Sequence, residues 1–162
     1  MVRQAQEAGY SEPDPRLDLS GRDVLRKLLI LSREAGAAID EADVEIDPIL
    51  GPEFFSGKVP AFYEMLAANE SSFAAAYRAA ADKGLRQRFV ASLVAVPEES
   101  GVHYKASMGL QCVGPENPLF NLCGTDNAAL IKTAFYPSPL VVQGAGAGAY
   151  QTASGVLNDI LL

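Results

Sequence analysis

The strictest constraint on the fold lies in the second half of the chain. From Val102 to Cys112 the sequence alternates without a break. Val102, Tyr104, Ala106, Met108, Leu110 and Cys112 face one way; His103, Lys105, Ser107, Gly109 and Gln111 face the other. A period of two is the mark of a strand with one apolar and one polar face. The run Arg86–Val96 before it is β-branched and also alternates, and the turn Pro97–Gly101 separates the two. Together they predict a long antiparallel hairpin with one wet face. The expected fold is α+β: a mostly antiparallel sheet with helices packed on one face, the other face available for dimerisation.

Helical spacing marks the layer that covers the apolar face. The segment Ser20–Ala35 places Val24, Leu25, Leu28 and Leu31 on one side and stops at Gly36. Val59–Ala67 and Ser71–Lys83 read as two more helices, with Phe73, Ala76, Tyr77 and Ala80 as a core stripe and Gly84 as the stop. Arg3–Ala8 reads as the end of a helix closed by Gly9. Val44–Asp47 reads as a short strand, and Pro48 implies an edge or a strand end. Phe54 and Phe55 are expected to plug the core from a loop between Gly51 and Gly57. Asn117–Leu122 and Asn127–Thr133 read as two short strands, and Pro139–Val142 as a last one leading into a glycine-rich turn.

The densest chemistry lies in Gly9–Leu31, GYSEPDPRLDLSGRDVLRKLLIL. Pro13 and Pro15 each fix their own φ and push the preceding residue towards an extended conformation. Glu12, Asp14 and Asp18 are therefore expected on a backbone that does not coil. Ser20 with Asp23 fits a capping box that opens the next helix. Asp23 and Lys27 share one edge of that helix, at the border of its charged and apolar sides. On spacing alone this is a helix cap with a surface ion pair worth about 0.3–0.5 kcal/mol.

The whole string resembles the substrate-site segment of homoserine dehydrogenases. The likeness is greatest to the bifunctional aspartokinase–homoserine dehydrogenase and fungal type, GYTEPDPRDDLSG-D-ARK. Leu17 departs from it, standing where that family often has a first aspartate, while Asp18 keeps the second. NPLFNLCGTDNAALIKT and VVQGAGAGAYQTASGVLNDIL resemble later segments of the same family. The likeness runs from about Gly9 to Leu162, weakest between Gly51 and Val96.

The resemblance implies NAD(P)-dependent interconversion of L-homoserine and L-aspartate 4-semialdehyde, in threonine and methionine biosynthesis. It implies Lys27 as acid/base and Asp23 as the carboxylate that holds substrate and lysine. Glu12 and Asp18 would lie around the substrate's ammonium, and Tyr10 would line the pocket. It also implies a homodimer. A lysine suits such a proton step when burial or a neighbouring cation brings its pKa down from about 10.4.

The run Gly144-Ala145-Gly146-Ala147-Gly148-Ala149 matches G-x-G-x-x-A after a strand and before a helix. Read alone, it suggests a pyrophosphate at a helix N-terminus. A full dinucleotide fold would need a second strand and an acidic residue about 20 positions on; neither follows. The resemblance instead puts NADP or NAD at this turn by its nicotinamide end, with Gly148 as the cofactor-facing glycine. The rest of the cofactor site, and a second catalytic lysine, would belong to an N-terminal Rossmann domain that this sequence does not contain. Two other readings stay open: a non-catalytic dimerisation domain, and a nucleotide-binding module using Gly144–Ala149.

Composition narrows the classes. With 49% hydrophobic and 20% charged residues, the 162 residues are expected to form one soluble catalytic and dimerisation domain, 1–162. The net charge of −7, without a basic run, argues against nucleic acid. No run is apolar enough to span a bilayer and no signal peptide opens the chain, so a cytoplasmic location is expected. Cys112 and Cys123 lack metal spacing and there is one histidine, so no metal is expected. Both cysteines read as small buried or half-buried apolar residues.

Overall fold

The computed structural model describes residues 2–146 and 148–161. The helices are α1 (Val2–Glu7), α2 (Arg16–Leu19), α3 (Arg22–Glu34), α4 (Val59–Ala68), α5 (Glu70–Ala81) and α6 (Ala149–Leu161). The strands are β1 (Val44–Asp47), β2 (Arg86–Glu98), β3 (Gly101–Val113), β4 (Asp126–Ile131) and β5 (Leu140–Ala145). The fold is α+β, as the alternation predicts. By its internal contacts the chain divides into two compact units. A central unit runs from Glu12 to Val113; a terminal unit combines the residues up to Ser11 with those from Gly114 on.

In the central unit the sheet order is β1-β3-β2. The β2–β3 hairpin is antiparallel from Arg86↔Val113 to Glu98↔Gly101, which leaves Glu99 and Ser100 as the turn. β1 joins the other edge of β3 in parallel, Val44↔Ala106 to Asp47↔Gly109. β1 is thus an edge strand, one of the two positions that Pro48 implies. The apolar face is buried only in its middle. Ala106 and Met108 are buried, whereas Val102, Leu110 and Cys112 are exposed. α3 covers that middle. Leu25 and Leu28 pack with Ala37, Ile39, Val44, Ala106 and Met108, flanked by Phe89, Ala91 and Leu93. Each fully buried leucine contributes about 1.5–3 kcal/mol.

α3 ends in a Schellman motif. Gly36 takes φ 83°, Ala37 N–H donates to the Ser32 carbonyl at 2.8 Å, and Gly36 N–H to that of Arg33 at 3.0 Å. Leu31, expected on the apolar side, is 59% exposed. Ser32 is fully buried in its place, its hydroxyl donating to the Leu28 carbonyl at 2.7 Å. A hydroxyl satisfied by its own helix can lie on a core face.

A second cluster joins Leu50, Phe54 and Phe62, with Leu19, Ile49, Phe55 and Leu66 against it. Phe54 is the plug the sequence predicts, carried on a 3₁₀ turn (Pro52–Phe55), and Phe55 is half-buried. The stripe on α5 does not form a core. Ala80 is buried, but Phe73 is 39% and Tyr77 63% exposed, and Ala76 is exposed. Phe73 meets the second cluster at its rim, 6.2 Å from Phe54 between ring centroids.

The terminal unit holds α1, the antiparallel β4–β5 hairpin (Asp126↔Ala145 to Ile131↔Leu140) and α6. Asn117–Leu122 is not a strand: Pro118–Asn121 forms a 3₁₀ turn, with the Asn117 side chain accepting from Leu119 N–H at 2.9 Å. Proline at the first position and an asparagine cap favour a turn over a ladder. Both cysteines are exposed, contrary to their expected burial. No helix of the described residues is long and apolar enough to cross a membrane.

Candidate functional site

The acidic loop and the lysine helix rest on different cores. Pro15 is fully buried, and Leu19 lies against the second cluster. The backbone expected to stay extended coils here: Arg16–Leu19 is a short helix with Pro15 (φ −68°) as its N-cap residue. Proline's φ is already helical, and it is tolerated at a helix start. Asp18 is therefore presented from a helical turn.

Ser20 does not cap α3. It ends α2, its hydroxyl donating to the Leu17 carbonyl at 2.7 Å and accepting from Arg22 N–H at 3.3 Å. The N-cap is Gly21, left-handed at φ 73°. A Cβ there would stand 2.7 Å from Met108 Cε and 3.3 Å from Phe89 Cζ. The glycine both turns the chain and seats α3 on the sheet. Asp23 then falls in the first turn of α3, where the helix dipole favours a carboxylate.

Four of the predicted residues meet in two pairs, one joining the loop before α2 to α2 and one within α3. Glu12 N–H donates to Asp18 Oδ2 at 3.1 Å. Lys27 Nζ lies 2.8 Å from Asp23 Oδ2, the two side chains 50% and 65% exposed. Glu12 and Asp18 are exposed as well, and Leu17 is 59% exposed. Tyr10 and Gly148 belong to the terminal unit. Tyr10 is 58% exposed, with its N–H on the Ala5 carbonyl at 2.9 Å. Gly148 follows β5 and precedes α6 at φ 135°, and its carbonyl accepts from Thr152 N–H and Oγ1, each at 3.2 Å. Gly146 N–H is tied to the Thr125 carbonyl at 2.8 Å. Ala147, part of the predicted glycine turn, lies outside the described residues.

Spacing did not reveal how Asp14 is used. Arg16 clasps it, Nε donating to Oδ1 at 2.8 Å and Nη2 to Oδ2 at 2.6 Å. Arg16 Nη1 donates onward to the Gly57 carbonyl at 2.8 Å. Hydrogen bonding from Arg16 holds the Asp14 carboxyl below the usual carboxylate range and raises the guanidinium in turn. An acid and an arginine flanking a proline were the available signal.

The described residues around Gly148 are small and exposed, which leaves room for a ligand to come close. The φ of 135° at Gly148 disfavours any side chain there, and Gly146, Gly148 and Ala149 are exposed. Among the described residues no group of three or more His, Cys, Asp or Glu could hold a metal. An open hollow of about 600 Å³ lies elsewhere, between the Gly36–Glu45 segment and the start of β3, and none of the predicted residues lines it.

The short helix that carries Asp18 and the Asp23–Lys27 edge that follows it stand on an α+β domain. The profile of the family described as Homoserine dehydrogenase matches residues 1–161. The chain belongs to that family. It is 39% identical over 159 residues to a bifunctional aspartokinase/homoserine dehydrogenase of Haemophilus influenzae, covering 97% of this chain and 18% of that one. Over 163 residues it is 35% identical to the homoserine dehydrogenase of Saccharomyces cerevisiae, covering 99% and 44%. A crystal structure of a Candida auris protein of unknown function superposes with TM-score 0.82 at 35% identity, covering 99% of this chain and 44% of that one. The chain thus spans less than half the length of each.

Proposed function

We propose that this chain is the substrate and dimerisation part of an enzyme interconverting L-homoserine and L-aspartate 4-semialdehyde. The observation that carries the reading is the Asp23–Lys27 pair, 2.8 Å apart at the start of α3 and directly after the short helix that carries Asp18, in a chain of this family. Lys27 moves the proton on the substrate's C4 oxygen. Asp23 holds the ammonium of Lys27 and the reacting end of the substrate. Glu12 and Asp18 meet the substrate's ammonium, an opposite charge that an acidic bend attracts, and Tyr10 lines the pocket. Bound NADP or NAD supplies hydride exchange at C4. Gly148 is the residue of this chain that faces it, and the remainder of the cofactor site lies in a dinucleotide-binding domain outside this sequence. A cytoplasmic location belongs to the same reading.

The test is L-homoserine-dependent reduction of NADP or NAD by the full-length protein. Absence of that activity in well-folded protein rejects the reading. The sheet face opposite α3 supports a homodimer: Val94 is 53% exposed between half-buried Val90, Ser92 and Val96. Light scattering that returns a monomer for the full-length protein rejects that part.

One observation favours a second reading, in which the chain alone is a non-catalytic dimerisation domain: its own residues leave Lys27 half exposed. Fluorescence titration with NADPH tests the second reading. Tight binding by the isolated chain contradicts it.

A further inference from the structure

Asp14 differs from Glu12 and Asp18 in its surroundings. Its side chain is 34% exposed and that of Arg16 is 19%. Besides the two shortest bonds, Arg16 Nε reaches Oδ2 at 3.1 Å, and Arg16 backbone N–H donates to Oδ1 at 3.1 Å. The carboxylate is thus met on two edges by one planar guanidinium, the strongest form of such a pair. A further donor of the same guanidinium lies on Nη1. That donor ends on the carbonyl of Gly57, 41 residues away in sequence. Gly57 closes the segment whose Phe54 is buried in the second cluster. Between acid and base stands Pro15, fully buried and rigid.

We propose that Arg16 is a positioning residue for substrate binding: it straps Asp14 and the Gly57 carbonyl into one rigid corner and so fixes the bend that carries Glu12 and Asp18. The proposal rests on the homoserine dehydrogenase reading, in which those two acids meet the substrate's ammonium. Asp14 is engaged by the strap and does not contact substrate. A lysine replaces the arginine only in part, because one ammonium does not reproduce a planar fork aimed at two partners.

Steady-state kinetics of the full-length protein test this with Arg16→Met, Arg16→Lys and Asp14→Asn. In Arg16→Met the KM for L-homoserine is expected to rise about tenfold, because a small displacement of binding groups is costly, while kcat stays within about threefold. The KM for the nicotinamide cofactor is expected to stay unchanged. Arg16→Lys is expected to recover part of the loss, and Asp14→Asn to raise the KM as well. If Asp14 itself held the ammonium, Arg16→Met would release it, and the KM would stay or fall; that result overturns the strap. If Arg16→Met does not fold, Asp14→Asn decides, and an unchanged KM overturns the proposal. Failure of the parent protein to oxidise homoserine sinks the enzyme reading and the strap together. An active parent with an unchanged KM in Arg16→Met sinks the strap alone.

Discussion

The two segments that the resemblance singles out are built in opposite ways. The acidic loop and α3 are held by the chain's own core: Pro15 and Leu19 below the loop, Gly21 on Phe89 and Met108, Leu25 and Leu28 inside. The glycine turn at Gly148 has no such support. β5 and α6 on either side of it contain no buried residue, and Tyr150, Ile160 and Leu161 are 90%, 73% and 74% exposed. Every buried hydrophobic residue described lies between Leu25 and Val113. The Asp23–Lys27 edge is a finished local structure. Among the described residues the turn at Gly148 is a local shape, set by β5, the Gly146–Thr125 bond and the torsion of Gly148, and carries no core of its own.

The largest effect that sharpens this contrast is chemical. If α3 carries the proton step, Lys27→Ala in the full-length protein is expected to lower kcat by about 10²–10⁴-fold. Its denaturation midpoint should stay close to the parent's, because the Asp23–Lys27 pair is exposed. Near-parental turnover would remove Lys27 from the mechanism and leave α3 only a structural element.

Next come the cores. Phe62 is 1% exposed, so Phe62→Ala is expected to cost about 3–5 kcal/mol in a urea titration of the chain. Ile160→Ala, at an exposed position of α6, should stay within about 0.5 kcal/mol in the same experiment. Equal losses would mean that the terminal unit has a core after all.

Glycine substitutions make the same comparison more finely. Gly21→Ala meets both a left-handed torsion and the Met108 side chain, and about 1–3 kcal/mol of destabilisation is expected. Gly144, in β5, has ordinary torsions and nothing within 4 Å of an added Cβ. Gly144→Ala should be neutral or slightly stabilising, by no more than about 1 kcal/mol, since alanine restricts the unfolded chain. Thermal melts of the pair read out the sign directly.

How much of this the sequence could reveal depended on the range of the interaction. Strict alternation determined the β2–β3 hairpin, because a slip of one residue would turn every side chain over. Pro48 left β1 at an edge or at a strand end, and only its pairing with β3 decides for the edge. α3 was legible from its leucines, and its end from Gly36. Its start was not: Ser20 and Asp23 satisfy a capping pattern, and only the close approach of Gly21 to Met108 and Phe89, distant in sequence, shows why the glycine takes the cap. The α5 stripe failed for the opposite reason. Helical spacing says which residues share a side, and only tertiary packing says whether anything covers it. Of the candidate site, the residue types and the Asp23–Lys27 spacing were legible; the Arg16–Gly57 bond could not be, since it joins segments 41 residues apart.

The smallest effect expected is electrostatic, and it returns to the supported end of the comparison. Bonding to Arg16 depresses the carboxyl pKa of Asp14 below its ordinary value near 3.9. A depressed acid binds fewer protons in the folded chain than in the unfolded one. Its contribution is therefore complete above about pH 4 and is lost as pH falls through the folded value. Arg16, raised from an already high value, stays charged throughout that range. Between about pH 5 and pH 2.5 the parent chain should accordingly lose slightly more stability than Arg16→Met, whose Asp14 titrates like an unpaired acid. Urea midpoints across that range compare the two slopes. Parallel slopes would mean that the Asp14–Arg16 pair is as loose as a solvated ion pair, and that the support of the acidic loop comes from Pro15 and Leu19 alone.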